Sequence, residues 1–172
     1  MTPTINTKDT EGMSPGTTTV TTPTDREITS ERVYRAPRER VFAAYTDPLL
    51  IPRWWGPRST TTIVDKMDVT PGGAWRFISR SSDGSETAFR GSYREVTPPA
   101  RLVQTFEWEG MPGHILVETV TFEDLNGHTK VTTNALFPTT AERDGMLAAG
   151  MQQGMSESHD RLSELLAKEE TR

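Results

Sequence analysis

The chain has 172 residues, a net charge of -5 and no cysteine. Its length suits a single domain with a sizeable core, and the lack of cysteine excludes disulfides, thiolate nucleophiles and thiolate metal ligands. Because nonspecific binding to nucleic acid or to anionic membranes relies on basic patches, a mildly acidic chain argues against both roles. No run of 18 consecutive apolar residues occurs, so no membrane span is predicted.

The first 25 residues have an unusual composition. They hold ten threonines and three prolines, and their only large apolar side chains are Ile5, Met13 and Val20. Such a segment buries too little surface to offset the entropy lost on ordering, so residues 1–25 are predicted to be a disordered tail. The tail also lacks the basic start and apolar run of a signal peptide, so a cytoplasmic protein is expected. The folded domain is predicted to span residues 26–170.

The domain begins with a predicted strand at 27–35, followed by two short helical segments at 37–46 and 49–53. Trp54 and Trp55 come directly afterwards, before the pattern changes to strands. Tryptophan at such a junction is either a structural plug or the rim of a cavity, and the plug is favoured.

Six segments after the tryptophans have the composition and alternation of strands. They are joined by turn sequences, of which Asp83-Gly84 and Asn126-Gly127 are the strongest hairpin signals. Short strands joined by hairpins form an antiparallel meander. The predicted strands cover 60–70, 74–81, 86–96, 101–109, 114–124 and 128–137.

A single long helix is predicted from Thr140 to Lys168, with Thr139 or Thr140 as its N-cap. Its apolar stripe has helical spacing and contains Leu147, Met151, Gly154, Met155, Ser158, Leu162 and Leu165. An antiparallel sheet with one apolar face needs such a helix to cover it. The sequence therefore predicts an α+β fold in which a strongly curved antiparallel sheet wraps over a long C-terminal helix.

The inward face of the predicted sheet combines large aromatic rings with a few polar side chains. A sealed core would exclude Gln104 and Glu118, because an unpaired buried amide or carboxylate is costly. Glycine and methionine in the middle of the helix leave space or adapt their shape to an occupant. An irregular filled core, or a splayed sheet edge that hydrates the polar groups, is the competing interpretation. A cavity for a hydrophobic small molecule is favoured, and its predicted ligand-binding residues are Trp75, Phe77, Phe89, Tyr93, Gln104, Phe106, Trp108, Glu118, Leu147, Gly150, Met151, Gly154 and Met155.

Signals for catalysis are sparse. His114, His128 and His159 lie on separate elements without the spacing of a metal site, and no nucleophile or phosphate-binding motif is present. No metal and no cofactor are predicted. Glu118 is the only carboxylate singled out as a base, because desolvation raises a carboxyl pKa. A noncatalytic binding protein is therefore the leading hypothesis. A cyclase, hydrolase or isomerase acting in the same cavity, through Glu118 or a histidine at its mouth, and an interaction module are the alternatives.

Several motifs along the domain carry a resemblance to a known family. They are at 35–42, 46–48, 54–57, 71–77, 83–84, 91, 93, 121–122, 146–155 and 162. Together they resemble the family of activator of Hsp90 ATPase homologue 1-like proteins. The likeness extends over about 26–167, and the family belongs to the START-like (SRPBCC) helix-grip superfamily, which includes birch-pollen-allergen, lipid-transfer and polyketide-cyclase branches. The resemblance implies a cavity between sheet and helix that binds a hydrophobic small molecule.

The same resemblance bears on partners. Relatives often carry tryptophan where this chain has Met155, which implies a roomier or looser cavity here. The chaperone-binding N-terminal domain of the eukaryotic activator has no counterpart in the sequence, which argues against direct stimulation of Hsp90. Because these relatives often pair, the resemblance also implies a homodimer.

Overall fold

The structure, a computed structural model, describes residues 16–170, which form one antiparallel sheet and three α-helices. The strands are β1 (Thr19–Thr21), β2 (Glu27–Tyr34), β3 (Thr60–Met67), β4 (Ala74–Ser81), β5 (Glu86–Thr97), β6 (Arg101–Trp108), β7 (Leu116–Leu125) and β8 (His128–Leu136). The helices are α1 (Arg38–Thr46), α2 (Thr140–Ala148) and α3 (Met151–Glu170), and a 3-10 turn covers Ile51–Arg53.

The strands lie in the order β1-β2-β8-β7-β6-β5-β4-β3, so β3 to β8 form the predicted meander. Gly84, Asn126 and Gly127 have positive φ in two of its hairpins, as tight β-turns require. β2 pairs with β8, whereas β3 lies at the opposite edge of the sheet. The segment between them, which contains α1 and the 3-10 turn, therefore crosses from one side of the sheet to the other. These are the two short helices predicted after the strand at 27–35.

Two irregularities in the strand pairing curve the sheet. The register of β3 against β4 shifts between Val64 and Lys66, and that of β5 against β6 shifts between Tyr93 and Glu95. Such bulges bend a strand and increase its twist. The sheet can therefore wrap around the C-terminal helix instead of lying flat beneath it.

The prediction of one continuous C-terminal helix is wrong. The chain forms α2 and α3 with a break at Gly150, whose φ of 79° lies in the left-handed region. Glycine adopts that conformation without the penalty other residues incur, and it commonly follows the last residue of a helix. Thr139 caps α2 as predicted, because its hydroxyl accepts a hydrogen bond from the backbone N–H of Glu142 at 3.1 Å.

The prediction of a disordered tail is wrong for its last part. Residues 1–15 lie outside the described residues, but Thr19–Thr21 form β1 and pair with β2, with Val20 opposite Ser30. Threonine and valine are β-branched and suit a strand. The threonine-rich composition that predicted disorder therefore also supports a short edge strand, and ordered structure begins before residue 26.

Two packed clusters lie between the sheet and the C-terminal helices. The larger one, around α1 and the C-terminal half of α3, includes Tyr34, Val41, Phe122, Leu162, Leu165 and Leu166. The smaller one, near α2, consists of Ile28, Leu116 and Phe137, with Met146, Leu147 and Met151 packed against them. The N-terminal half of α3 lies between these clusters, and there the interior is not filled.

Candidate functional site

A cavity of about 480 Å³ lies between the sheet, α1, the segment 51–57 and the N-terminal half of α3. Ten of the thirteen predicted ligand-binding residues line it. They are Trp75, Phe77, Phe89, Tyr93, Gln104, Phe106, Glu118, Met151, Gly154 and Met155. The period-two alternation of the strands brings the sheet residues of this group to one face. Helical spacing places Met151, Gly154 and Met155 on the side of α3 that faces the same space.

The other three predicted residues do not line the cavity. Trp108 is 43% exposed at the end of β6, where its ring lies over Gly110 in the following turn. Leu147 packs in the smaller cluster, and Gly150 links α2 to α3. Trp108 has the predicted parity, but it lies beyond the cavity. Leu147 and Gly150 were misplaced because the predicted continuous helix is interrupted at Gly150.

Aromatic rings form a continuous part of the cavity wall. The ring of Trp55 lies 5.2 Å from that of Phe77 and 5.4 Å from that of Phe89, measured between centroids. Phe106 extends this wall, with its ring centroid 5.4 Å from that of Phe89 and 5.8 Å from that of Trp75. Such tilted and edge-on contacts are favoured between aromatic rings. The wall is therefore preformed rather than assembled around a ligand.

Trp54 and Trp55 divide the two roles considered for them. Trp54 is almost completely buried, and its indole N–H donates to the carbonyl oxygen of Ala44 at 2.9 Å. Trp55 is only partly buried and joins the aromatic wall. Trp54 thus plugs the junction while also contacting the cavity, whereas Trp55 forms part of its rim.

Gly91 determines where the indole of Trp75 can lie. A Cβ atom at Gly91 would be 1.9 Å from the carbonyl oxygen of Thr105 and 2.6 Å from Nε1 of Trp75. That same oxygen accepts a hydrogen bond from Nε1 of Trp75 at 3.2 Å. Any side chain at Gly91 would separate β5 from β6 or displace the indole, so this glycine positions one wall of the cavity.

Glu118 supplies a carboxyl group to the cavity. Its neighbours in register, Gln104 on β6 and Ala135 on β8, line the cavity as well. No hydrogen bond or ion pair joins this carboxyl group to another described residue. Its side chain keeps some accessible surface because it borders the cavity. Burial raises its pKa to about 7.

Tyr45 on α1 also lines the cavity, although it is not among the predicted ligand-binding residues. Burial raises the pKa of its phenol well above the ordinary value, and the nearby charge of Glu118 raises it further. The hydroxyl is therefore neutral at physiological pH. Nothing in the sequence indicates that α1 directs this ring toward the residues of β7.

His159 is a second polar residue of the cavity wall that is absent from the predicted ligand-binding residues. It is buried in the cavity wall, and its Nδ1 lies 3.0 Å from the hydroxyl oxygen of Thr18. Burial lowers its pKa to about 4, and the neighbouring positive charge of Arg32 acts in the same direction. The imidazole is therefore neutral near pH 7 and can donate or accept one hydrogen bond.

The helix α2 lies beside the cavity and is loosely held. None of its side chains is fully buried, although Met146 reaches the cavity wall. A side-chain contact between Nδ1 of His114 and Oε1 of Glu142 ties its first turn to the loop before β7. This contact lowers the pKa of the Glu142 carboxyl group.

A second depression, of about 360 Å³, lies on the outer side of the sheet. Its charged side chains are mostly paired with one another or with neighbours. Arg90 contacts Glu107 at 2.5 Å, and Arg76 contacts Glu109 at 2.8 Å. The carboxylate of Glu107 also accepts a hydrogen bond from the backbone of Gly113. This surface is a network of ion pairs, and the cavity is the better candidate site.

Among the side chains that the structure describes, those of residues 16–168, no group of three histidines, aspartates or glutamates is arranged to hold a metal ion. No helix in that range is both long and apolar enough to cross a membrane.

Comparison with known proteins identifies the family. The model of one protein family, described as "Activator of Hsp90 ATPase homolog 1-like protein", matches residues 35–167. The chain belongs to this family. The resemblance seen in the sequence motifs is thereby confirmed. No curated protein matches the sequence.

Solved structures show the same fold as this member of the Hsp90-activator-homologue family. A Rhodobacter sphaeroides protein superposes with a TM-score of 0.83 at 22% identity, over 88% of this chain and 99% of its own. The AHSA1 protein from Silicibacter pomeroyi gives 0.70 at 21%, over 83% and 99%. DynU16, from the dynemicin biosynthetic locus, gives 0.65 at 23%, over 84% of this chain and 48% of its own. At these identities the likeness establishes the fold alone, and the predicted helix-grip architecture is confirmed.

Proposed function

We propose that this member of the Hsp90-activator-homologue family binds a hydrophobic small molecule in the cavity beneath α3. The volume of about 480 Å³ is within the range of about 300–1,000 Å³ that small-molecule sites occupy. The lining supports the same proposal, because a preformed aromatic wall carries only a few polar groups.

The proposal depends chiefly on the empty space beside Gly154. This residue lies on α3 at the cavity wall, and a Cβ atom there would meet no heavy atom within 4 Å. Protein interiors are close-packed, so a glycine in a filled core would have neighbours at contact distance. Apolar walls that face empty space also lose dispersion contacts that an occupant would restore.

Fluorescence titration with N-phenyl-1-naphthylamine, a neutral lipophilic probe, tests the proposal. The wild-type protein is expected to bind the probe and enhance its emission. In Gly154→Trp, an indole should occupy the open space and weaken the affinity at least about tenfold, a loss of about 1.4 kcal/mol.

Gly145→Trp is the matched control. Gly145 is exposed on α2, does not line the cavity and also has no neighbour within 4 Å of an added Cβ atom. This variant should bind the probe like the wild type, and thermal unfolding should show that both variants are folded. Equal affinity in wild type and Gly154→Trp would contradict the proposal.

An enzyme of cyclase, hydrolase or isomerase type is the second candidate. Glu118 favours it, because a carboxyl group with a pKa near 7 is suited to general acid–base catalysis at physiological pH. Binding and turnover are distinguished by recovering a compound that the protein has bound and determining whether its chemical structure has changed. Conversion by the wild type, but not by Glu118→Gln, would indicate an enzyme, and unchanged recovery from both would indicate a binding protein.

A further inference from the structure

The charges of the cavity lining are strongly unbalanced. Among the lining residues that the structure describes, Glu118 is the only carboxylate, and no lysine or arginine is present. His159, the only lining histidine, is neutral near pH 7. The ionised form of Glu118 therefore makes the cavity negative, with no positive group in the wall to neutralise it.

Hydrogen-bond donors are already present in the cavity wall. Tyr45, Gln104 and Thr133 bring hydroxyl or amide groups to the cavity. A neutral ligand that only accepts hydrogen bonds has no need of Glu118. An ionised carboxyl group only accepts, and a buried one is stabilised most by a positively charged donor. A fatty-acid carboxylate would instead be repelled by it.

We propose that the ligand is a lipophilic amine, whose ammonium group pairs with Glu118 while its apolar body packs against the aromatic wall. This inference rests on the proposed binding function and narrows it to one chemical class. The wall suits the apolar body of such a ligand, because Trp and Phe rings offer a large apolar surface. Trp55, Phe77 and Phe89 present such rings in mutual contact.

The pairing predicts a specific dependence on pH. Tyr45 from α1 and Tyr93 from β5 remain neutral because burial raises their pKa, and His159 from α3 remains neutral because burial lowers its pKa. Arg32 on β2, which pairs with Asp160, also acts on Tyr45 and His159. Glu118 is thus the cavity group that titrates near neutrality. Affinity for an amine should rise up to about tenfold between about pH 6 and pH 8.

Competition between chains of equal length tests the inference. Dodecylamine, dodecanol and dodecanoate would each be used to displace N-phenyl-1-naphthylamine from the wild-type protein, in about 0.15 M salt to screen surface charge. The amine is expected to bind at least about tenfold more tightly than the alcohol, and the carboxylate most weakly. Glu118→Gln should reduce the amine to the affinity of the alcohol.

Glu123→Gln is the control for net charge. Glu123 is exposed on the same strand, β7, and the change removes one negative charge from the surface instead of the cavity. This variant should keep the full preference for the amine. The preference would have to be assigned to the acidic surface, and the inference rejected, if Glu123→Gln reduced it as much as Glu118→Gln.

The remaining outcomes separate the two proposals. Equal displacement by amine and alcohol, tighter binding of dodecanoate, or an amine preference that survives Glu118→Gln would overturn the inference but leave hydrophobic binding intact. Failure of the wild type to bind the probe or any of the three chains would overturn both. Because glutamine has nearly the shape of glutamate, loss of the preference together with unchanged binding of dodecanol would show that the variant is folded.

Discussion

Glu118 is held where its ionised form is disfavoured. No cation in the described cavity wall pairs with it, and its pKa rises to about 7 from an ordinary value of 4.5. Between these two values the folded protein retains a proton that the unfolded chain releases. The contribution of Glu118 to the free energy of unfolding should therefore fall as the pH rises from about 4.5 to about 7, whereas His159, whose pKa is lowered, acts in the opposite direction over much of this range.

We predict that Glu118→Gln removes this dependence. Relative to wild type, the variant should gain almost nothing at pH 4 and up to about 3 kcal/mol above pH 7, since each pKa unit corresponds to about 1.4 kcal/mol. Urea unfolding across this pH range measures the difference. Glu123→Gln should differ from wild type by a nearly constant amount. A Glu118→Gln variant equally stable relative to wild type at both ends would refute the buried, unpaired carboxyl group.

At the scale of elements, the C-terminal helical segment is where the structure differs from the prediction based on apolar spacing. Apolar spacing continues through the segment 140–168, so the pattern predicts one helix, yet Gly150 ends α2 in a left-handed conformation. Periodicity does not reveal whether a glycine is a helix interior residue or its terminator. Gly150 and Gly154 look alike in the sequence, and only the first has positive φ.

The two glycines should therefore respond oppositely to alanine. Gly150→Ala is expected to lower the free energy of unfolding by about 1–2 kcal/mol, because alanine is strained in the left-handed region. Gly154→Ala should raise it by about 0.5–1 kcal/mol, because alanine favours a helix interior and its methyl group meets no neighbour. Denaturant unfolding of both variants decides between the broken helix and a continuous one, in which both substitutions would stabilise.

The strands were predictable because their signals are local. Alternation of side chains and the turn residues Asp83-Gly84 and Asn126-Gly127 act over a few positions, so the meander follows from the sequence. The edge strand β1 was missed since its composition also fits a disordered tail, and only pairing with β2 orders it. A strand that forms only by pairing with another segment cannot be recognised from its own residues alone.

At the scale of the whole molecule, the cavity arises where the curved sheet, α1 and α3 fail to fill the space between them. The aromatic wall was predictable because it follows the parity of the strands. Tyr45 and His159 were not, because their positions depend on how α1 and α3 pack against the sheet. Trp108 was misassigned for the complementary reason, since parity fixes the face of a strand but not how far along it the cavity extends.

The most direct test of an accessible cavity is methyl NMR of the complex with N-phenyl-1-naphthylamine. The methionine methyl groups report on two different places. Met146, Met151 and Met155 line the cavity, whereas Met111 is half-exposed on the surface. We predict nuclear Overhauser contacts from the probe to the methyl groups of Met151 and Met155 and an unchanged signal for Met111. Contacts to Met111 alone, or a complex that leaves the cavity methionines unperturbed, would contradict the account.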